Sequence, residues 1–267
     1  MAGKLEENTF ENLIVEKKDN VMWITLDRPE KLNALNKEMY TELHKILDIV
    51  EMDSECRVLV VTGSGKAFCA GGDLSQLYQA ATTVESAQER LRMSHSLATR
   101  LRSLKQPIIM AVNGAAVGAG LSLALIGDMI ICAEDARFGA TFLRVGLIPD
   151  MGSIYNLVKL LGTSKACELC FQADIIDARK AAEMGLVNRV VAKEELLDTV
   201  SKLAEGMSKL PFMQLGLLKK AIYKAQEVDF FTEIEDEINL QSLCMVSKDG
   251  REGIKAFLEK RKPIFNK

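Results

Sequence analysis

Histidine is nearly absent from this chain, with two residues among 267, and the six cysteines fall at irregular positions. So few imidazoles leave little to build a metal centre from. The one Cys-x-x-Cys, Cys167-Glu168-Leu169-Cys170, has no second pair and no nearby histidine to complete a tetrahedral zinc site, so no metal is expected. A strong charge of one sign is lacking too: the formal net charge is -3 and there is no basic run, which argues against nucleic acid as a partner. Lys4, Glu6, Glu7, Glu11 and Glu16 interrupt the N-terminal stretch with charge, so no secretory leader is expected and the thiols read as those of a cytoplasmic protein. Gly63-Ser64-Gly65-Lys66 lacks both the leading glycine and the following hydroxyl of a phosphate-binding Walker loop, and no Gly-x-Gly-x-x-Gly follows a strand. One charge-free run, Ile108 to Gly127, has the length of a membrane-spanning helix. Asn113-Gly114 and its four glycines divide it into a strand, a turn and a buried helix, so no membrane span is expected.

Apolar residues are plentiful at 48% of the chain, ample for a large core. Val21 to Leu26, Val58 to Thr62, Ile108 to Val112 and Met129 to Ala133 read as strands, and Lys37 to Met52 carries Met39, Leu43, Ile46, Leu47 and Val50 at helical spacing. A polar helix is expected through Glu85 to Leu104 and another after Gly118. From Leu196 the texture changes to three helical stretches without strands, Leu196 to Met207, Gln214 to Gln226 and Phe230 to Met245. The expected organisation is an α/β core over residues 1–195 and a helical region over 196–267 that must pack on the core or on another subunit.

Two glycine-rich segments stand out, Ala67-Phe68-Cys69-Ala70-Gly71-Gly72-Asp73-Leu74 and Ala111-Val112-Asn113-Gly114-Ala115-Ala116-Val117-Gly118-Ala119-Gly120. Each follows an apolar strand and places small residues where a ligand would touch backbone. Read by themselves, such glycines also serve close packing of helix and strand. Read together, they suggest two peptide N–H groups converging on one oxygen, an oxyanion hole for a carbonyl that gains negative charge.

The two segments resemble those of the crotonase, or enoyl-CoA hydratase/isomerase, superfamily. So do Asp27-Arg28-Pro29-Glu30-Lys31-Leu32-Asn33-Ala34-Leu35-Asn36, Ala133 to Gly139, Gly146-Leu147-Ile148-Pro149 and Arg251 to Lys262, in the same order over nearly the whole chain. The resemblance implies a spiral of repeated ββα units with a C-terminal helical region that builds a homotrimer, often doubled to a hexamer. It implies an acyl-CoA substrate and no cofactor beyond that coenzyme A moiety. It assigns the oxyanion donors to the N–H groups of Gly72 and Ala119, each worth on the order of 3 kcal/mol of barrier by analogy with oxyanion-hole deletions. It places the coenzyme against Lys31, Leu32 and Ala34 and against Ala70, Asp73 and Leu74. Its phosphates meet Arg28 or Lys31 and, from a neighbouring subunit, Lys260 with Phe257 beside it.

What the site lacks is as telling. Hydratases of this family hold a water between two glutamates, and the matching positions here are Ser122 and Phe142. One carboxylate remains at a position the family uses: Asp150 matches the single acid of the enoyl-CoA isomerase branch that includes the epoxyphenylacetyl-CoA type. One carboxylate suffices to carry a proton from C2 to C4 of a 3-enoyl-CoA. Without the resemblance, Asp150 reads as a helix N-cap ahead of Gly152 to Leu161, a role Ser153 could also fill. His95 lies where halobenzoyl-CoA dehalogenases of the family place a general base, which keeps His95 with Asp150 as an alternative. Among Arg90, Arg92, Arg100 and Arg102, however, it also reads as an ordinary residue of a polar helix. Cys69 is expected to be open to alkylation without being a nucleophile. The expected function is enoyl-CoA isomerisation through Asp150, Gly72 and Ala119; the alternatives are hydration, thioester hydrolysis, dehalogenase-like chemistry, and a catalytically silent CoA-binding scaffold.

Overall fold

The computed structural model describes residues 10–267. Strands β1 (Leu13–Lys18) and β2 (Val21–Leu26) form an antiparallel hairpin, and α1 (Lys37–Met52) follows, its N-cap Asn36 accepting from the Met39 N–H. Three units of one plan come next. β3 (Val58–Gly63) and β4 (Ala67–Cys69) lead to α2 (Leu74–Ala80) and α3 (Val84–Ser103). β5 (Ile108–Val112) and β6 (Ala115–Val117) lead to α4 (Ala119–Ala124); β7 (Met129–Ala133) and β8 (Arg137–Gly139) lead to α5 (Ser153–Leu161) and α6 (Thr163–Gln172). After β9 (Ile176–Asp177), α7 (Ala178–Met184) and β10 (Arg189–Val191), the chain is helical: α8 (Leu196–Ser208), α9 (Phe212–Lys224), α10 (Phe230–Val246) and α11 (Lys248–Leu258).

The first strand of each unit enters a six-stranded sheet ordered β1-β2-β3-β5-β7-β10, and the second enters a four-stranded sheet ordered β4-β6-β8-β9. Both sheets add successive units in parallel, β3 to β5 to β7 and β4 to β6 to β8. Each unit therefore sits one strand spacing, about 4.8 Å, beyond the last, which makes the repeat a spiral. The charge-free run from Ile108 to Gly127 resolves into β5, β6 and α4, and no helix among the described residues is long and apolar enough to cross a membrane.

Period-two alternation sorts the strand residues between two cores. Leu59, Val61, Met110 and Val112 face the main core with Leu43, Ile46 and Leu47 of α1, whereas Val58, Val60, Ile109 and Ala111 face α8 through Leu196, Val200 and Ala204. The first helix after residue 195 is thus part of the core packing, while α10 buries no residue and exposes Phe230, Phe231, Ile238 and Val246. The short strands β4, β6 and β8, three residues each, are too brief for alternation to reveal. They are held by backbone contact: a Cβ at Gly120 would stand 2.0 Å from the Cys69 carbonyl oxygen and one at Gly114 2.1 Å from that of Lys66.

Candidate active site

The loop before α1 and the loop after β4 are built as one piece. Leu32 and Asn33 both take the left-handed conformation, with φ of 50° and 57°, and Asn33 is fully buried. Its Nδ2 donates to the carbonyls of Ser64 at 2.9 Å and Ala67 at 2.8 Å, and its Oδ1 accepts from the Arg28 N–H at 2.8 Å. Leu35 then forms a parallel bridge with Gly72, donating to the Gly71 carbonyl at 2.8 Å and accepting from the Asp73 N–H at 2.9 Å. In such a bridge the groups of Leu35 bond the two neighbours of Gly72, so the N–H of Gly72 itself points away from Leu35. No described residue accepts a hydrogen bond from it.

The second candidate donor comes from the next unit. Ala119 is the first residue of α4, a position whose N–H has no acceptor within the helix. Gly118 precedes it with φ 55° and ψ -129°, and Gly71 has φ 108°. A Cβ on Gly71 would lie 3.6 Å from the Ala119 nitrogen and 3.1 Å from the Val117 carbonyl oxygen, and one on Gly118 would lie 3.9 Å from the Gly71 Cα. The backbones of Gly71 and Gly118 thus pass in contact, both at positive φ and Gly71 with little room for a side chain, bringing the peptides of Gly72 and Ala119 alongside each other. Gly72 is itself half-exposed, and a Cβ there would meet nothing within 4 Å.

Asp150 sits in the loop before α5, followed by Met151 and Gly152, both left-handed at φ 51° and 78°. For Met151 that conformation is strained, and it is held by complete burial and by the Tyr40 hydroxyl, which donates to the Met151 Sδ at 3.5 Å. The Asp150 side chain caps nothing: Gly152 occupies the N-cap position and Oδ1 of Asp150 is buried without a partner. Ser153 does not cap either; it is the first helical residue and its hydroxyl is likewise buried and unpaired. Burial lifts the Asp150 carboxyl above the ordinary carboxylate range, and His95 and the backbone of Asp150 pull it part of the way back. Burial also raises the Tyr40 hydroxyl, followed by the charges of Asp150 and Cys69, so the phenol stays protonated.

His95, on α3, and Asp150 line one open cleft of about 560 Å³ together with Ile154, Tyr155, Val158 and Lys159 of α5. The His95 Nδ1 lies 2.7 Å from the Leu91 carbonyl oxygen, which fixes the proton on Nδ1 when the ring is neutral and leaves Nε2 as the free base. Neither Gly72 nor Ala119 lines this cleft. Ser122, fully buried with its hydroxyl 3.5 Å from the Gly118 carbonyl oxygen, and Phe142, buried as well, are the residues that the resemblance matches to the two hydratase glutamates. Cys69 corrects the expectation of an alkylation-sensitive thiol: it is fully buried, and burial pushes it up to about 12.

Of the positions expected to hold coenzyme, Leu32, Ala34, Ala70 and Asp73 are brought together with Arg28. Leu32 accepts from the Ala70 N–H at 2.9 Å, and Arg28 donates to the Ala34 carbonyl at 2.6 Å and to the Asp73 carboxylate at 3.2 Å. Arg28 thereby joins the two loops, and Ser75 and then Arg28 hold the Asp73 carboxyl below its usual range. Lys31 and Leu74 are exposed at the edge of this assembly. Phe257 and Lys260 lie exposed at the end of α11, and no hydrogen bond or ion pair among the described residues joins them to it. Asn33 and Tyr40 are the positioning residues that sequence reasoning missed. The left-handed stretch of Leu32 and Asn33, a short polar residue in a tight turn, was the available signal for the first.

Residues 16–267 match the enoyl-CoA hydratase/isomerase family. A 1,2-epoxyphenylacetyl-CoA isomerase of Escherichia coli K12 is 40% identical over 92% of this chain and 94% of its own length. A crotonyl-CoA hydratase of Syntrophomonas wolfei is 34% identical over 96% of this chain and 98% of its own. The crystal structure of an enoyl-CoA hydratase from Bacillus anthracis superposes with a TM-score of 0.91 at 33% identity, covering 96% of this chain and 99% of that one.

Proposed function

The chain belongs to the enoyl-CoA hydratase/isomerase family, and we propose that within it the protein is an isomerase that moves the double bond of a 3-enoyl-CoA into conjugation with the thioester. The observation that carries this reading is Asp150, a half-buried carboxylate with one buried and unpartnered oxygen, while the positions matched to a hydratase's two glutamates hold Ser122 and Phe142. Loss of a proton from C2 leaves a dienolate whose negative charge rests on the thioester oxygen. The N–H groups of Gly72 and Ala119 receive that oxygen, and as preformed donors they need no reorganisation as charge develops. Asp150 takes the C2 proton, its raised pKa making it the stronger base, and returns the same proton to C4, so no water or second acid is consumed.

A second reading has one observation in its favour: His95 shares the cleft with Asp150 and presents a free Nε2. That pair could activate water for hydration, for thioester hydrolysis, or for a ring-substitution chemistry in which Asp150 is the nucleophile. The reading also includes acyl-CoA as substrate with no further cofactor, Lys31 with a neighbour's Phe257 and Lys260 about its phosphates, and self-association into a trimer or a dimer of trimers. The apolar residues that α10 leaves exposed support that assembly.

The test is the conversion of a 3-enoyl-CoA to its conjugated isomer, followed by ultraviolet absorbance, for the unaltered protein and for Asp150→Ala. Conversion that disappears in the variant supports the one-carboxylate mechanism. Absence of conversion by the unaltered protein removes it, and coenzyme binding without any turnover would leave a silent scaffold.

A further inference from the structure

The cleft beside Asp150 has a chemically distinct far end. Ile154, Tyr155, Val158 and Lys159 occupy one face of α5, and from Ser153 to Lys159 the helix advances about 9 Å, so the cleft runs from a carboxylate at one end to an ammonium at the other. The Lys159 Nζ donates to the Gln226 carbonyl and lies 5.5 Å from the centre of the Tyr155 ring. Arg102 lies 5.6 Å from the same ring and 4.0 Å from that of Tyr223, and donates to the Asn156 side-chain oxygen at 2.9 Å. No described carboxylate pairs with either cation. Lys159 is also in the wall of a second cavity, of about 380 Å³, into which Arg102 faces. The other charges there are few. Glu227 accepts from the Tyr155 hydroxyl at 3.2 Å, and Lys219 is neutralised by Asp128 at 2.8 Å. Among the described residues, Lys159 is thus the one lysine or arginine in the wall of the cleft and has no carboxylate partner, while Arg102 lines the second cavity that shares Lys159 with it.

We propose that this channel selects an acyl group whose far end carries a carboxylate, with Lys159 as the specificity-determining residue and Arg102 reinforcing it. The proposal rests on the acyl-CoA reading above and deepens it. An apolar wall suits the methylene chain, and an acid terminus meets an ammonium that no described carboxylate neutralises, which makes a charge-assisted hydrogen bond available. The rise of about 9 Å from Ser153 to Lys159 corresponds to a chain of about eight carbons once the reacting carbons lie at Asp150.

The test is calorimetric and needs no turnover. Octanoyl-CoA and its ω-carboxylate counterpart, suberoyl-CoA, are titrated into the full chain and into Lys159→Gln. The unaltered protein is expected to bind suberoyl-CoA at least tenfold more tightly, and the ratio of the two dissociation constants is expected to collapse to about one in the variant. Equal or tighter binding of octanoyl-CoA by the unaltered protein overturns the proposal, as does a ratio that Lys159→Gln leaves intact. Either result leaves the isomerase reading standing if 3-enoyl-CoA is still converted. Binding of neither ligand removes both.

Discussion

Two half-buried aspartates in this molecule have opposite surroundings. Asp128, in the turn before β7, accepts from the Ile108 N–H at 2.7 Å, the Lys219 Nζ at 2.8 Å and the Tyr223 hydroxyl at 2.6 Å. Asp150 has an oxygen with no partner at all. The first carboxylate is a joint: it ties β5 to α9, and with Arg102 stacked on Tyr223 it docks the C-terminal helices on the core. The second carries a desolvation cost that His95 and its own backbone offset only in part. Burial by itself does not distinguish structure from chemistry; the distinction lies in whether the buried charge has been satisfied.

The contrast breaks most visibly in function. Asp150→Asn keeps the shape and removes the base, and is expected to lower isomerisation by about 10²–10⁴-fold while leaving the urea midpoint equal or higher, because an unsatisfied buried charge is gone. A loss of stability on that substitution would mean Asp150 has a structural partner after all. Asp128→Ala is expected to do the reverse, costing about 3–5 kcal/mol in urea unfolding because it strands the Lys219 ammonium in the interior. Burial already depresses that ammonium's pKa, opposed by Asp128 itself.

Titration sharpens the comparison further. Because the folded-state pKa of Asp150 lies above the unfolded value of about 3.9, the folded state binds its proton more tightly. The contribution of Asp150 is therefore most favourable below about pH 3.9 and is lost as pH rises through the folded value. Asp150→Asn should abolish that segment of the pH–stability curve, measured by thermal unfolding from acid to neutral pH. Isomerisation should show an acid limb with a midpoint above about 3.9, and His95→Gln should move that limb to higher pH, since His95 favours the charged carboxylate. The smallest expected effect is that of Tyr40→Phe. Its lost bond to a thioether should change stability by no more than about 1 kcal/mol, and any fall in kcat with unchanged KM would report how far Met151 aims its neighbour.

Much of this architecture is legible in the sequence because it is local. The apolar run of Val21 to Leu26, the helical spacing in Lys37 to Met52 and the two glycine loops each lie within one short window. The position of Asp150 is legible through its flanking residues, and so is the missing pair of glutamates. What escapes is set by distant partners. Asn33 acts on Ser64 and Ala67, more than thirty positions away, and Tyr40 meets Met151 across 111 positions. Arg28 looks like a free cation until Asp73, 45 positions on, is folded against it. No periodicity encodes such pairings, because each depends on which turn of the spiral lies beside which.

That dependence extends to the two amides of the candidate oxyanion hole. Gly72 comes three residues after β4 and Ala119 two residues after β6, and β4 and β6 are hydrogen-bonded neighbours. The gap between the two donors is therefore gauged by the spacing of strands in a sheet, a length set by peptide geometry and closed to adjustment by side-chain substitution. The sheet acts as a ruler. Drift in sequence can exchange the acid, the base or the lining of the acyl channel while the distance between the donors stays constant.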